Sequence, residues 1–261
     1  ARADDAITSL AERVGAVDGI VAGVTGLGKD TSGADQLMKL LAAGLGARRI
    51  TVMSDVELAV RSVFKPGEGI LVYAGTGSIG AHLDGQESLH TAGGKGVLID
   101  DAGGGYWIAI QALCQILRRE DHEPGSGWRS ILGKAMADEI GGSDWPVVRQ
   151  SVYGRDRGAI GQLALAVAEA ARKSDEAAIT ILRRAGAELA RLALALERRI
   201  GPQDIILAGR AAGLHPLIGE GFAAALPDRR VRNVTLDAAR AAAQLALSLP
   251  VLTGLPLLAR D

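Results

Sequence analysis

Residues 70–80 read Ile-Leu-Val-Tyr-Ala-Gly-Thr-Gly-Ser-Ile-Gly, an apolar run that ends in a glycine turn and continues into a second apolar run. The spacing of Gly75, Gly77 and Gly80 fits G-x-G-x-x-G, a pattern that opens a helix in dinucleotide-binding units and precedes an acidic residue by about 20 positions. Here the residues after the turn alternate as a strand does, and position 95 is a lysine. The stretch therefore predicts a strand, a glycine turn and a returning strand, and it argues against a Rossmann unit.

A glycine turn between two strands can hold an anion, because residues without side chains let successive backbone N–H groups converge. Thr76 and Ser78 add hydroxyl groups that could donate to the same anion, so the turn from Gly75 to Ser78 is a candidate phosphate site. A tight hairpin without a ligand is the alternative, and this segment alone leaves both interpretations open.

Strands and helices alternate on both sides of this turn, which predicts an α/β fold with a largely parallel sheet. The Asp84-Gly85 pair predicts a hairpin turn between the second and third strands of an antiparallel group. Apolar spacing predicts strands over 19–24, 49–53, 69–74, 79–83, 87–91, 204–208 and 232–236. It predicts helices over 4–14, from Leu37 to Leu45, and over 56–64, 175–199, 216–226 and 238–249, whereas 250–261 carries no predicted element.

The region from 101 to 187 is mainly helical and has the pattern of an insertion or second lobe. We therefore expect a boundary near residues 91–94, with an N-terminal lobe over 1–92 and a C-terminal lobe over 93–261. The last helix is a candidate to pack back on the N-terminal lobe.

Composition limits the function classes. The chain has 261 residues, 48% of them hydrophobic, which excludes a disordered chain, and a net charge of -1 without a basic run, which argues against nucleic acid. A single cysteine excludes a disulfide framework or a multi-cysteine metal site within one subunit. Without a signal-like start or a long apolar stretch, we expect a cytoplasmic protein with no membrane partner.

Two aspartates stand where α/β proteins place ligands. Asp55 follows the strand over 49–53 and opens a helix, so it can serve as a helix N-cap or as a base that accepts a proton from a hydroxyl group. Asp101 also precedes a helix and can likewise serve as its N-cap, but the glycines within 93–96 and 103–105 bracket it. Such permissive backbone suggests that a ligand approaches closely, and a carboxylate there could bind two vicinal sugar hydroxyls.

Gly209 ends the strand over 204–208 and leads into a loop and a helix. This geometry would let an adenine or a ribose pack against the backbone. Many strand-to-helix loops look the same, so an ordinary connection is the alternative.

In order and spacing, these segments resemble the N-acetylglucosamine kinase family, in the BadF/BadG/BcrA-type ATPase group of the actin/hexokinase/Hsp70 superfamily. The resemblance rests on Val-Ala-Gly-Val-Thr-Gly at 21–26, the Asp55 junction, Ala-Gly-Thr-Gly-Ser at 74–78, the glycine-rich stretch with Asp-Asp at 93–108 and Leu-Ala-Gly at 207–209. It implies a two-lobed actin-like (ribonuclease H-like) fold whose site lies in an interlobe cleft.

The resemblance also implies a function and assigns roles. The chain would use ATP and Mg²⁺ to phosphorylate an amino sugar such as N-acetylglucosamine or glucosamine. The turn from Gly75 to Ser78 would be the second phosphate hairpin, Asp55 the base, and Gly209 part of the adenosine site. Sugar contacts would come from Asp55, Thr76, Gly94 and Asp101, whereas the metal ligands stay unassigned and a homodimer is one open alternative.

The chain departs from the family pattern in two ways. No Asp-x-Gly-x-Thr-type turn, the family's first phosphate hairpin, precedes Val17, so we expect a piece encoded upstream of Ala1 to carry it; loss of part of the ATP site is the alternative. Near the sugar, Lys95 stands where the family has Trp, Ala102 where it has Glu, and Ile79 where some members have Asn. These differences leave the acetyl-group pocket open.

Three alternatives compete with the amino-sugar kinase. A related reductase-activating ATPase would place cysteines near the glycine turn for an iron–sulfur cluster, and a zinc-containing glucokinase-like branch also needs cysteines that this chain lacks. A sugar or nucleotide sensor with a kinase fold and no turnover is the rival from a different class.

Overall fold

A computed structural model describes residues 3–27 and 31–248 of the chain. Its strands are β1 (Gly19–Val24), β2 (Arg49–Ser54), β3 (Ile70–Ala74), β4 (Ser78–Leu83), β5 (Leu89–Gly93), β6 (Ile205–Ala208) and β7 (Val231–Val234). Its helices are α1 (Ala3–Val14), α2 (Thr31–Leu45), α3 (Asp55–Arg61), α4 (Gly105–His122), α5 (Ile131–Ile140), α6 (Trp145–Tyr153), α7 (Arg157–Gln162), α8 (Ala164–Arg172), α9 (Glu176–Ile200), α10 (Pro216–Ala224) and α11 (Ala238–Ser248). The predicted α/β class is confirmed.

The chain forms two compact units, residues 1–65 together with 236–261, and residues 66–235. The sequence placed the boundary at 92/93, but in the structure that position lies inside the second unit. The reason is strand pairing. Because β3 hydrogen-bonds to β4 on one side and to β6 on the other, β3, β4 and β5 belong to the same sheet as β6 and β7.

The first unit contains a parallel pair of strands, β1 and β2, in which Val24 lies opposite Ser54. Both strands therefore end at the same edge. Helices α1 and α2 contribute to an apolar core with β2 that includes Ile7, Leu41 and Ile50. Helix α11 packs on β1 so closely that a Cβ at Gly19 would lie 3.1 Å from the carbonyl oxygen of Ala246.

The second unit is built on a five-stranded sheet of order β5-β4-β3-β6-β7. Its β3, β4 and β5 are antiparallel, whereas β3, β6 and β7 run parallel. The long helix α9 packs across β3, β4 and β5, and a Cβ at Gly80 would lie 3.2 Å from side-chain atoms of Leu192 and Leu196. The core of this unit lies between α9, the sheet and helices α4 to α8.

β5 begins at Leu89, two residues later than predicted, because the turn before it is longer than a two-residue hairpin. The Oδ1 of Asp84 accepts the N–H groups of Gln86 at 2.9 Å and Ser88 at 2.8 Å. The backbone N–H of Asp84 also donates to the carbonyl of Ser88 at 3.0 Å.

The segment 250–261, for which the sequence predicts no element, lies outside the described residues. Over the ranges 3–27 and 31–248, no helix has both the length and the apolar character that crossing a bilayer requires.

The carboxylate of Asp175 joins two helix N-termini in the second unit. Its Oδ1 accepts the N–H of Ala178 at the start of α9, and its Oδ2 accepts the N–H of Leu132 in the first turn of α5, each at 3.0 Å. The N–H groups of a first turn have no partner within their own helix, so a buried carboxylate that takes one from each helix stabilises both.

We expect Asp175→Ala to lower the free energy of unfolding by about 2 kcal/mol, because two N-terminal N–H groups lose their acceptor and each cap contributes about 1 kcal/mol. The comparison is Asp156→Ala, since Asp156 caps only α7 through the N–H of Ala159. Urea unfolding followed by circular dichroism measures both variants. Equal losses for the two variants would contradict the double-cap interpretation.

Candidate functional site

The glycine turn joins β3 to β4 in the second unit. Ala74 pairs with Ser78, and residues 75–77 cross from one strand to the other. Within the turn, the N–H of Gly75 donates to the carbonyl of Gly77 at 2.9 Å. The predicted strand, turn and returning strand are thus present.

Helix α4 begins directly behind this turn. The N–H of Gly105 donates to the carbonyl of Gly75 at 2.8 Å, and the N–H of Tyr106 donates to the carbonyl of Thr76 at 3.0 Å. Both N–H groups belong to the first turn of α4 and lack partners within the helix. The turn therefore supplies hydrogen-bond acceptors for two N–H groups of α4, and α4 in return fixes the orientation of two successive peptide groups of the turn.

The orientation of those two peptide groups determines which side of the turn can bind an anion. In a planar trans peptide the N–H points opposite to the C=O, so the N–H groups of Thr76 and Gly77 point away from α4. Neither N–H donates a hydrogen bond to any residue that the structure describes. Two adjacent free N–H groups on one side of a turn form a cradle suited to an anion.

Close packing explains the glycines around the turn. A Cβ at Gly104 would lie 2.7 Å from the carbonyl oxygen of Thr76, and a Cβ at Gly77 would collide with the carboxylate of Asp101. A side chain at either position would separate the turn from the start of α4.

The hydroxyl of Ser78 does not serve the cradle, contrary to the prediction from sequence. Ser78 is buried, and its Oγ donates to the carbonyl of Ala102 at 2.8 Å. The single hydroxyl proton is thus used to join β4 to the segment before α4. The hydroxyl of Thr76, in contrast, makes no hydrogen bond with the described residues and can donate to a ligand.

Asp101 lies against the turn and is only 8% exposed. Its Oδ1 accepts the N–H of Gly96 at 3.1 Å, whereas its Oδ2 accepts no hydrogen bond from the described part of the chain. Its φ of 55° is a left-handed conformation that side chains rarely adopt and that is often found at functional sites. The helix-cap interpretation is wrong for Asp101, because Gly104 is the N-cap of α4.

The loop before Asp101 is held at both of its ends. Gly94, with a φ of 64°, donates its N–H to the carbonyl of Ser78 at 3.0 Å. At the other end, one terminal nitrogen of Arg191 on α9 donates to both carboxylate oxygens of Asp100, at 3.1 and 3.3 Å. The structure therefore brings Gly94 and Asp101 together with the turn over 75–78.

Gly209 joins the same region from β6, which runs parallel to β3. Its φ is 107°, and a Cβ there would collide with the carbonyl oxygen of Ala74. That carbonyl also accepts the N–H of Ala211 at 2.9 Å. Gly209 is thus required for the close approach of two strand ends.

A pocket of about 180 Å³ opens between the turn, helices α7 and α8 and the loop after β6. Its wall is mostly apolar, with Thr76, Gln162 and Arg210 as the side chains that carry polar atoms. The lining residues are Gly75, Thr76, Gly105, Gly158, Gly161, Gln162, Ala164, Leu165, Arg210, Ala211 and Leu214. Concave apolar walls with a few polar groups are typical of small-molecule sites.

His215 follows this loop and caps α10. Its Nδ1 accepts the N–H of Leu217 at 3.2 Å, which requires a ring that is unprotonated at Nδ1. Burial lowers the pKa of His215 below its usual value, and the nearby charge of Arg172 lowers the pKa further. The ring therefore stays neutral at pH 7 and keeps the helix capped.

Asp55 lies in the first unit, at the edge where β1 and β2 end. The hydroxyl of Thr25 donates to its Oδ2 at 2.8 Å, and the N–H of Val56 donates to its Oδ1 at 2.9 Å. Ser54, and not Asp55, is the N-cap of α3, because the Oγ of Ser54 accepts the N–H of Glu57 at 3.1 Å. Asp55 is thus an exposed carboxylate held in one orientation.

Sequence reasoning missed Thr25, Gln162 and Arg210. Thr25 could have been found, because it follows β1 directly and β1 is the parallel neighbour of the strand that ends before Asp55. Arg210 could have been found in the same way, because it follows Gly209 at the end of β6, the parallel neighbour of β3. Gln162 carried no such signal, since it reaches the pocket from α7, which is distant in sequence from the turn.

The sequence profile of the BadF/BadG/BcrA/BcrD ATPase family matches residues 2–221. The chain belongs to this family. The suspected family relationship and the actin-like ATPase fold class are thereby confirmed. Membership in an ATPase family agrees with a glycine turn whose free N–H groups suit an anion.

Relatives of this chain carry kinase names. An N-acetylmuramic acid/N-acetylglucosamine kinase of Clostridium acetobutylicum is 36% identical over 92 residues, which are 34% of this chain and 28% of that protein. A structure from Chromobacterium violaceum described as an N-acetylglucosamine kinase has a TM-score of 0.69 and 25% identity over 88% of this chain and 78% of its own. A structure of the same description from Porphyromonas gingivalis has a TM-score of 0.68 at 21% identity, over 92% and 80% of the two chains.

We expect Gly104→Ala to lower the free energy of unfolding by about 1–3 kcal/mol, because its methyl group would enter the space of the Thr76 carbonyl. The matched control is Gly213→Ala, where the nearest atom would lie 3.8 Å away and the change should stay within about 0.5 kcal/mol. Urea unfolding of both variants provides the measurement. If Gly104→Ala unfolds like the control, the turn and α4 are not packed as described.

Proposed function

We propose that this ATPase-family protein transfers the γ-phosphate of ATP to a hydroxyl group of an amino sugar, such as N-acetylglucosamine or glucosamine. The observation that carries the proposal is the pair of free N–H groups at Thr76 and Gly77, beside an apolar pocket. The kinase names of the relatives support the choice of reaction and of sugar.

The nucleotide is assigned to the second unit. The apolar pocket suits an adenine ring, and the glycine turn at one wall suits phosphate, so one molecule of ATP can use both. Gly209 contributes by letting the loop after β6 approach the end of β3. The residues of the turn from Gly75 to Gly77, together with Gly209, thus form the proposed ATP site. Ser78, which the sequence also suggested for this site, instead joins β4 to the segment before α4 through its bond to Ala102.

Mg²⁺ is expected to enter with ATP. In proteins this ion is commonly held by substrate phosphates, waters and one or two carboxylates. Among residues 3–27 and 31–248, no three His, Cys, Asp or Glu side chains gather into a metal-binding group. When bound, Mg²⁺ would supply charge neutralisation at the phosphates of ATP.

The sugar is assigned to Asp101, Gly94 and Thr76. The Oδ2 of Asp101 accepts no hydrogen bond from described residues and is adjacent to Gly77, so it can accept a sugar hydroxyl near the phosphate cradle. The backbone at Gly94 can approach a sugar closely because no side chain projects there. The acetyl group would face Lys95, Ala102 and Ile79, whose identities leave glucosamine as an alternative substrate.

Asp55 is assigned as the base. Its carboxylate would accept the proton of the attacking sugar hydroxyl while the sugar oxygen bonds to the γ-phosphorus and the bond from that phosphorus to the bridging oxygen breaks, releasing ADP. The bond from Thr25 keeps the carboxylate in place before the sugar arrives. The proposal requires Asp55 and the glycine turn to act on the same pair of substrates, which stays a prediction.

We expect Asp55→Asn to abolish turnover while sugar affinity stays within about tenfold, or 1.4 kcal/mol, because the amide keeps the shape but cannot accept the proton. Coupled ADP-release kinetics and calorimetric titration of the sugar measure the two quantities. The control is Asp18→Asn, an exposed aspartate of the same unit that pairs with Arg48 at 3.7 Å. Undiminished turnover in Asp55→Asn would reject Asp55 as the base.

We expect Thr25→Val to lower turnover by about tenfold with little change in KM, because the carboxylate loses the hydroxyl that orients it. Thr25→Ser should retain activity, since serine supplies the same donor. If the valine and serine variants are equally active, Thr25 has no positioning role.

Measuring ADP release and sugar binding together distinguishes the kinase from the non-catalytic sensor. The kinase predicts ADP release with Mg²⁺–ATP and at least one of glucosamine, N-acetylglucosamine, N-acetylmannosamine or glucose. Background ADP release together with a raised melting temperature for one of these sugars would instead identify a protein that binds without catalysis.

A further inference from the structure

Arg210 is the charged residue among those that line the pocket. It follows Gly209 at the end of β6, is exposed, and makes no hydrogen bond or ion pair with the described part of the chain. Other arginines of the second unit are engaged: Arg229 donates to both carboxylate oxygens of Glu197, and Arg191 donates to Asp100. Arg210 thus offers an unpaired guanidinium to whatever enters the pocket.

The main chain fixes where this side chain starts. On one side of Arg210, Gly209 packs against the carbonyl of Ala74, and on the other side Ala211 donates its N–H to that carbonyl at 2.9 Å. The N–H of Gly213 also donates to the carbonyl of Gly209 at 3.1 Å, which closes the loop. Because Ala74 is the residue before the glycine turn, the Cα of Arg210 is held at a set position relative to the phosphate cradle.

The proposed ligand carries more negative charge than the partial positive charges of the turn can balance. The N–H groups of Thr76 and Gly77 carry only partial charges, whereas the phosphates of ADP and ATP carry several negative charges. A guanidinium presents five donors in a planar fork that matches phosphate oxygens, and its full positive charge complements theirs.

We propose that Arg210 binds the phosphate chain of the nucleotide and so makes the pocket select nucleotides over nucleosides. The inference rests on the proposed ATP site and adds a specificity-determining residue to it. Arg210 would contact the phosphates and not the base. Substitution of Arg210 should therefore cost more affinity for a ligand with more phosphate groups.

Calorimetric titration of adenosine and ADP into the wild-type protein, Arg210→Gln and Arg210→Lys tests this inference. We expect Arg210→Gln to weaken ADP binding about ten- to a hundredfold, as for a lost hydrogen bond to a charged group, and to change adenosine binding by less than about threefold. Arg210→Lys should fall between, because lysine keeps the charge but loses the fork. The salt dependence of ADP binding should also decrease in Arg210→Gln.

The matched control is Arg118→Gln, an exposed arginine of α4 that is not part of the pocket wall. It should bind ADP as the wild type does. Unchanged ADP affinity in Arg210→Gln overturns the inference and leaves the proposed function intact. Equal losses for adenosine and ADP also overturn it, since they indicate contact with the base. A wild-type protein that binds neither ligand overturns the nucleotide site itself, and the inference with it.

Discussion

Two backbone hydrogen bonds set the geometry on which the candidate site depends, those from the first turn of α4 to the carbonyls of Gly75 and Thr76. They stabilise both the helix and the turn. The helix gains acceptors for N–H groups that it cannot satisfy, and the turn gains a fixed orientation for two peptide planes. The binding capacity of the turn therefore follows from the packing behind it, since N–H groups free to rotate would have to be ordered each time an anion arrived.

This arrangement needs several chain segments to approach more closely than ordinary side chains allow. Gly77, Gly104 and Gly209 each lie against backbone or a carboxylate at a distance that a Cβ would violate. In each case the absent side chain brings one element of the site to another. The abundance of glycine, 35 residues in the chain, is thus partly explained by contacts and not only by turns.

The alternation around the glycine turn was sufficient to predict β3 and β4, the α/β class and the position of Asp55 at the end of a strand. Local pattern could not predict contacts between distant segments. The bond from Thr25 to Asp55 depends on the register of two strands, and the burial of the Ser78 hydroxyl depends on where the chain returns at Ala102. The unit boundary was misplaced for the same reason, because strand pairing with β6 lies more than a hundred residues along the chain.

The packing of α11 on β1 has a consequence for synthesis. The first unit combines residues that precede the second unit with a helix, α11, that is translated after the whole of the second unit. During synthesis, β1 therefore lacks its contacts with α11 while residues 66–235 can already form their own sheet. The first unit is thus completed only after residues 66–235 have been made, so chaperone dependence should concentrate in that interval of translation.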